Sequence, residues 1–449
     1  MFKKINGVII LFLLSCIGFF LFAGQKMIKS ETTKKAQQQH LLQLTDPHFW
    51  VISDNHFYAD ALFEDSEVFR QFEATAVGKD IRYTETVLKA FVQKALIEKP
   101  TGIILTGDIT LNGEKESLDQ MIKLFEPLQE AGILVLAIPG NHDIYNGWAR
   151  EFKNEDKITT HQISPETFQA GFSDGYELSR QQDTHSLSYL LDLKDYRFFM
   201  LDSNIYADRF SKKEPVTHGE LKPATLDWLK VGLEEGKALG KTPLFFLHHS
   251  LLVHNENVTE GFVLNNADAV LALIESYQVP LAMSGHVHLQ DIMQSIDNPM
   301  FHEISTASFS TAGSHIGHLT LKERQMTYEV ESFDPRPYFD SQTLENSDLK
   351  NYPTFLKEKS QQLGEELTIN LLSQLGVSDQ NHFVKKVGEA HVRYFTGAVP
   401  LTENEKEKLY KDPSYENLRQ NAPQLLERFS SLLNDANFAN NHRLVIDLP

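Results

Sequence analysis

Six times in the first two thirds of this chain, a short apolar run stops abruptly at a cluster of Asp, Asn, Gly or His. The runs end at 41–46, 102–108, 133–141, 197–202, 243–249 and 280–288. Apolar stretches of this length, bounded by polar turn residues, mark strands buried on both faces. Amphipathic stretches separate the first three runs, at 83–98 and 115–131, and their length suits crossover helices. This order predicts an α/β sheet with polar loops gathered at the carboxyl ends of its strands, where such sheets hold ligands. After Ser305 the apolar segments 318–321 and 326–333 read as antiparallel strands. Asp334, Pro335, Arg336 and Pro337 then interrupt the pattern, and amphipathic helices are expected at 354–363, 366–375, 381–395 and 422–433.

A chain of 449 residues exceeds what one hydrophobic core usually supports. The expected division is a signal or membrane anchor at 1–24, a linker at 25–39, a main domain at 40–334 and a helical domain at 335–449. Lys3 and Lys4 precede an almost wholly apolar run at 8–23, the pattern of an export signal or of an anchor with its positive end inside. Either reading puts the main domain outside the cytoplasm, tethered to the cell membrane or secreted. Cys16 is the only cysteine, so no intrachain disulfide forms. Leu13, Leu14 and Ser15 before it loosely resemble a lipoprotein cleavage site, but the apolar run continues past the cysteine. With 42 basic against 61 acidic side chains the formal charge is -19, and such a field repels a nucleic acid polymer. A small phosphate ester remains acceptable beside bound divalent cations, which would dominate the local field.

The polar clusters carry the chemistry. Asp46-Pro47-His48 sets a carboxylate and an imidazole two positions apart, able to chelate one ion from a strand end. Alone the triplet is weak, because its pattern arises by chance on the order of once in a chain this long. Gly107-Asp108 supplies a second carboxylate. Gly140-Asn141-His142-Asp143 packs an amide, an imidazole and a carboxylate into one loop, and His248-His249 and Gly285-His286-Val287-His288 add further imidazoles. Carboxylate and imidazole donors without thiolate suit manganese, iron or zinc better than calcium.

Asp-x-His, Gly-Asp, Gly-Asn-His-Asp, His-His and Gly-His-x-His, in that order, resemble the calcineurin-like metallophosphoesterase superfamily. Gly107-Asp108-Ile109-Thr110 with Asn112-Gly113-Glu114, and Leu226-Asp227-Trp228-Leu229, are most similar to its class III cyclic nucleotide phosphodiesterase branch. The resemblance implies a four-layer αββα sandwich with a C-terminal all-helical accessory domain. It implies two metal ions, Mn, Fe or Zn, one held by Asp46, His48 and His288, the other by Asn141, His248 and His286, with Asp108 bridging. The metals would activate a water against a small phosphodiester or nucleotide, a cyclic nucleotide first among them. His142 would be the catalytic histidine, and Asp143 would orient it. Ser250 stands where that branch commonly has proline, which leaves His249 an alternative to His248. Phe49, Trp50, His56 and Phe57, in an insertion at 49–79, either stack on a base or pack the inserted loop. A nucleotidase or broad phosphomonoesterase is the alternative enzyme, and a non-catalytic surface binding protein the alternative of another class. The C-terminal helices cap the site, stabilise the fold or make a homodimer.

Overall fold

The computed structural model describes residues 36–374, 381–398, 402–411, 413–421, 423 and 440–448. The expected anchor at 1–24, most of the linker and all but residue 423 of the expected helix at 422–433 lie outside the described residues. No described helix is long and apolar enough to cross a membrane.

Two sheets are stacked face to face. The first has six strands: β1 (His48–Ile52), β2 (Gly102–Thr106), β3 (Leu134–Ile138), β13 (His315–Lys322), β14 (Gln325–Ser332) and β15 (Arg443–Asp447). Their order is β15-β14-β13-β1-β2-β3. The second sheet has seven: β6 (Gln181–Gln182), β7 (Tyr189–Asp192), β8 (Tyr196–Met200), β9 (Thr242–Phe246), β10 (Leu281–Ser284), β11 (Asp291–Gln294) and β12 (His302–Ser305), in the order β11-β12-β10-β9-β8-β7-β6. A separate hairpin joins β4 (Arg150–Lys153) to β5 (Asp156–Thr159). Each sheet contains a run of three adjacent parallel strands, β1 beside β2 beside β3 and β8 beside β9 beside β10.

Strand period two decides which layer each side chain joins. Phe198 of β8 points inward and meets Phe49 of β1 edge to face, with ring centroids 5.1 Å apart. Its neighbour Phe199 points outward with Phe245, into a second core. That core is closed by α3 (Pro223–Ala238) and α4 (Ala267–Tyr277). The other outer layer is α1 (Thr84–Glu98) and α2 (Lys115–Glu130). Val87, Leu88, Phe91, Val92 and Ala95 form the buried stripe of α1, and Phe91 packs on Trp50 at 5.6 Å. The result is the four-layer αββα sandwich.

Beyond the sandwich, α5 (Tyr352–Gln374) and α6 (Asn381–Phe395) form the accessory helical region. They approach closely where Gly364 faces Gly388, since a Cβ on Gly388 would stand 2.8 Å from the Gln361 carbonyl oxygen. The C-terminal part is not wholly helical as expected: β15 returns to pair antiparallel with β14, Met326 opposite Ile446. Five residues of alternating burial, Arg-Leu-Val-Ile-Asp, are the edge-strand signal that the preceding helical pattern masks.

The helical region is fastened to the sandwich by a buried polar contact. The Tyr352 hydroxyl donates to Asp80 Oδ2 at 2.9 Å, while Asp80 Oδ1 accepts from the Arg82 and Tyr83 amides at 2.9 and 3.1 Å. Burial pushes the Asp80 carboxyl up from its ordinary value, so each of these donors matters to its charged form. Tyr352→Phe should therefore destabilise the fold by about 2 kcal/mol, read as a lowered urea midpoint at unchanged m-value.

Candidate metal centre

The parallel pairing of β1 with β2 sets Ile52 opposite Leu105, so the residues that follow both strands emerge side by side. After β1 these are Ser53, Asp54, Asn55 and His56; after β2 they are Gly107 and Asp108. Backbone bonds continue the pairing into the loops, from the Asp54 amide to the Gly107 carbonyl and from the His56 amide to the Asp108 carbonyl. Asp54, His56 and Asp108 are buried and converge with His288. Asp108 also belongs to a second group, with His248 and His286. In each group the ligand atoms lie within 4.8 Å of one another.

Five of these six residues have left-handed backbones: Asp54, His56, Asp108, His286 and His288, with φ of 50, 43, 46, 67 and 58°. Such conformations cost non-glycine residues on the order of 1 kcal/mol or more, and concentrate at functional sites. Gly140 completes the enclosure, because a Cβ there would fall 2.2 Å from Asp108 Oδ1.

Backbone carbonyls fix how the imidazoles are presented. A carbonyl only accepts, so the ring nitrogen facing it carries the proton and the other nitrogen keeps its lone pair. His248 Nδ1 donates to the Thr106 carbonyl at 2.9 Å, which leaves Nε2 to face Asn141 Oδ1 at 3.3 Å and Asp108 Oδ1 at 3.4 Å. His286 Nε2 donates to the Gly261 carbonyl at 3.1 Å, freeing Nδ1. His288 Nε2 lies 3.2 Å from Asp54 Oδ1 and 3.1 Å from His56 Nε2. By contrast His249 is consumed elsewhere, with Nε2 on the Thr217 carbonyl at 3.0 Å and Nδ1 on Ser203 Oγ at 2.9 Å.

These donors fit divalent cations. A lone pair on His248 Nε2 cannot share a hydrogen bond with the Asn141 or Asp108 oxygens, so the neutral arrangement needs a cation between acceptors. Lacking one, only a proton serves: burial opposes charging His248, but Asp108 and Asp54 outweigh it and push the ring up to about 9. Burial likewise works against ionised Asp108, but the imidazoles of His248 and His142 hold its carboxyl well below the usual range. The cluster is built around positive charge. Asp54, His56, Asp108 and His288 would hold one ion, and Asp108, Asn141, His248 and His286 the other.

Asp108, Asn141, His248, His286 and His288 are thus brought together, whereas Asp46 and His48 are not. Asp46 is exposed before β1, and His48 begins that strand, about 13 Å of extended chain from its carboxyl end. His48 instead stacks on His318, with its Nε2 3.1 Å from His318 Nδ1. Asp54 and His56 stand where Asp46 and His48 were expected. The segment 41–46 contains no strand; the apolar run that matters is Phe49–Ile52, and Asp54-Asn55-His56 is the Asp-x-His that follows it.

Asp143 needs correcting too. It does not touch the His142 ring but accepts from the amides of Gly140, Ile109 and Thr110 and from Thr110 Oγ1, at 2.8 to 3.1 Å, clamping two loops together. His142 is oriented by the Leu111 carbonyl and Asn112 Oδ1, 3.1 and 3.0 Å from its Nδ1. Asn112 is held in turn by Glu114, whose Oε2 accepts from the Asn112 amide at 2.9 Å. Phe49, Trp50 and Phe57 are buried in the core.

Residues 47–290 match the model of the calcineurin-like phosphoesterase family. The chain belongs to the calcineurin-like phosphoesterase family. Residues 334–438 match a second model, the C-terminal domain of cyclic nucleotide phosphodiesterase. None of the curated proteins compared matches this chain. Similar solved structures include a dimetal phosphatase from Danio rerio, 16% identical over 64% of this chain and 97% of that one, with a TM-score of 0.47. Another is the purple acid phosphatase PPD1 of yellow lupin, Lupinus luteus, 12% identical over 65% of this chain and 52% of that one, with a TM-score of 0.40. This calcineurin-like phosphoesterase is a metal-dependent phosphoric ester hydrolase. Asp54→Ala should lower the metal bound per chain, measured by inductively coupled plasma mass spectrometry, and activity by at least about a hundredfold. Asp46→Ala should leave both within about twofold, as surface substitutions remote from a site do.

Proposed function

We propose that this phosphoesterase hydrolyses phosphodiesters, with cyclic nucleotides as the leading substrate class. The observation that carries this reading is the match of residues 334–438 to the C-terminal domain of cyclic nucleotide phosphodiesterase, in one chain with a two-lobed cluster of carboxylates and imidazoles able to hold metal ions.

Metal ions held by these residues would lower the pKa of a water and neutralise charge on the phosphoryl group. The chain's own residues do the rest. Asp108, shared by both ligand groups, holds the two lobes in register. His142 manages the proton. Its Nδ1 faces two acceptors, so that nitrogen is protonated in either charge state, and Nε2 is the atom that gives up or takes a proton. In the protonated ring Nε2 would donate to the departing oxygen; burial holds this imidazole below its ordinary range, and the neighbouring Asp108 carboxylate offsets that only in part. Asn112 and Glu114 are positioning residues for this step. No Ser or Cys nucleophile is required.

The apolar run at 8–23 would tether the domain to the membrane with the site outside the cytoplasm, where nucleotides or envelope phosphodiesters are the accessible substrates. Removing residues 1–24 should shift the protein from the membrane to the soluble fraction on ultracentrifugation; persistence in the membrane would refute the tether.

His142→Ala should lower kcat by about 10² to 10⁴-fold while metal content stays unchanged. The manganese-loaded enzyme should turn over bis(p-nitrophenyl) phosphate and cyclic nucleotides faster than p-nitrophenyl phosphate. The opposite preference would favour a nucleotidase or phosphomonoesterase, and binding without cleavage a surface binding protein.

A further inference from the structure

An aromatic side chain open to solvent beside His142 is Trp148. The residue is 47% exposed, and its ring centroid lies 6.2 Å from that of His142. His142 in turn lies 5.4 Å from His56, and His56 5.1 Å from His288. The four rings thus form a chain of contacts that links Trp148, the most exposed of them, to the metal centre. An exposed tryptophan standing alone needs no explanation, but this one is held in place. Asn146 Oδ1 accepts from the Trp148 amide at 2.8 Å, and Asn146 Nδ2 donates to the His142 carbonyl at 3.0 Å, so one side chain ties the two residues together. Arg150 Nη1 donates to the carbonyls on either side of Trp148, those of Gly147 and Ala149, at 2.8 Å each. Gly147 fits so closely against the segment at 212–213 that a Cβ would lie 2.2 Å from the Lys213 carbonyl oxygen. The backbone is braced on three sides, yet the largest apolar surface on it is left facing water.

What would cover that surface follows from the role of His142, and so rests on the phosphodiesterase reading. If His142 protonates the departing oxygen, the organic group bonded to that oxygen lies on the His142 side of the phosphorus. That is the side on which Trp148 stands. A flat π-system stacks well on an indole, whatever its hydrogen-bonding edge, and a nucleobase is the common biological case. We propose that Trp148 is a specificity-determining residue, the platform on which the nucleobase of the substrate or product stacks. It selects esters of nucleosides over esters of small aliphatic alcohols, without reading which base is present.

The test uses the full chain loaded with manganese, with adenosine 5′-monophosphate and inorganic phosphate as probes. Wild type, Trp148→Ala and Trp148→Phe are compared by inhibition of p-nitrophenyl ester hydrolysis and by indole fluorescence, with circular dichroism melting to check the fold. Trp50 and Trp228 are buried, so quenching by the nucleotide reports Trp148. The expected result is nucleotide quenching in wild type, and nucleotide inhibition weakened about tenfold in Trp148→Ala and largely restored in Trp148→Phe. Inhibition by inorganic phosphate should change by less than about twofold in both. Equal nucleotide affinity in wild type and Trp148→Ala would overturn the proposal, and so would parallel loss of nucleotide and phosphate affinity, the mark of a merely structural role. The quenching experiment needs no turnover, so a wild-type enzyme that fails on every diester defeats the phosphodiesterase reading separately.

Discussion

The site depends on one packing constraint: β1 and β2 run parallel and in register, which brings the chain segments after Ile52 and Leu105 out of the sheet together. Two buried carboxylates, Asp54 and Asp108, therefore share a small volume with four imidazoles. Like charges so close in a low-dielectric interior are strongly unfavourable unless positive charge lies between them. The left-handed backbones at five of the six residues add strain in the same direction. A sheet that pays stability to assemble such a cluster is recovering it through cations, and this gives physical content to the family's metal dependence.

Around the cluster, backbone carbonyls do the orienting. Those of Thr106, Gly261 and Leu111 hold His248, His286 and His142 each by one nitrogen and leave the other free. This choice of tautomer is inexpensive and rigid, because the carbonyls belong to strand ends and braced loops rather than to side chains that rotate. It also separates neighbours of identical type: His248 has a free nitrogen facing Asp108, and His249 has none. Asp143, beside the proposed proton donor, contributes by joining the loops that carry Asp108 and His142, a positional role rather than a chemical one.

Much of this was legible in the residues. An α/β sheet followed from short apolar runs ending in polar clusters, its four-layer form from the family resemblance, and the runs at 102–108, 133–141, 243–249 and 280–288 all deliver residues to the cluster. The first run misled because Asp46-Pro47-His48 is a well-formed Asp-x-His that precedes a strand instead of following one. Applied to Phe49–Ile52, the same rule leads to Asp54 and His56. The orientation of His142 by Asn112, thirty positions earlier, could not be read from spacing, since it depends on how two loops fold against each other. For Trp148 the sequence shows an aromatic six residues after His142, but exposure and direction are tertiary facts. β15 escaped notice because a five-residue edge strand carries little pattern and lies far from its partner β14 in the chain.

The helical region borders the sandwich through Tyr352 on Asp80 and through Gln290, whose amide donates to the Phe395 carbonyl at 3.0 Å only two residues from His288. The accessory region is thereby linked to the strand ends that carry the metal ligands. Anomalous X-ray diffraction from crystals grown with manganese tests the central claim most directly. The account predicts two anomalous peaks per chain, one among Asp54, His56, Asp108 and His288, the other among Asp108, Asn141, His248 and His286. Peaks at Asp46 and His48, or none within the cluster, would contradict it.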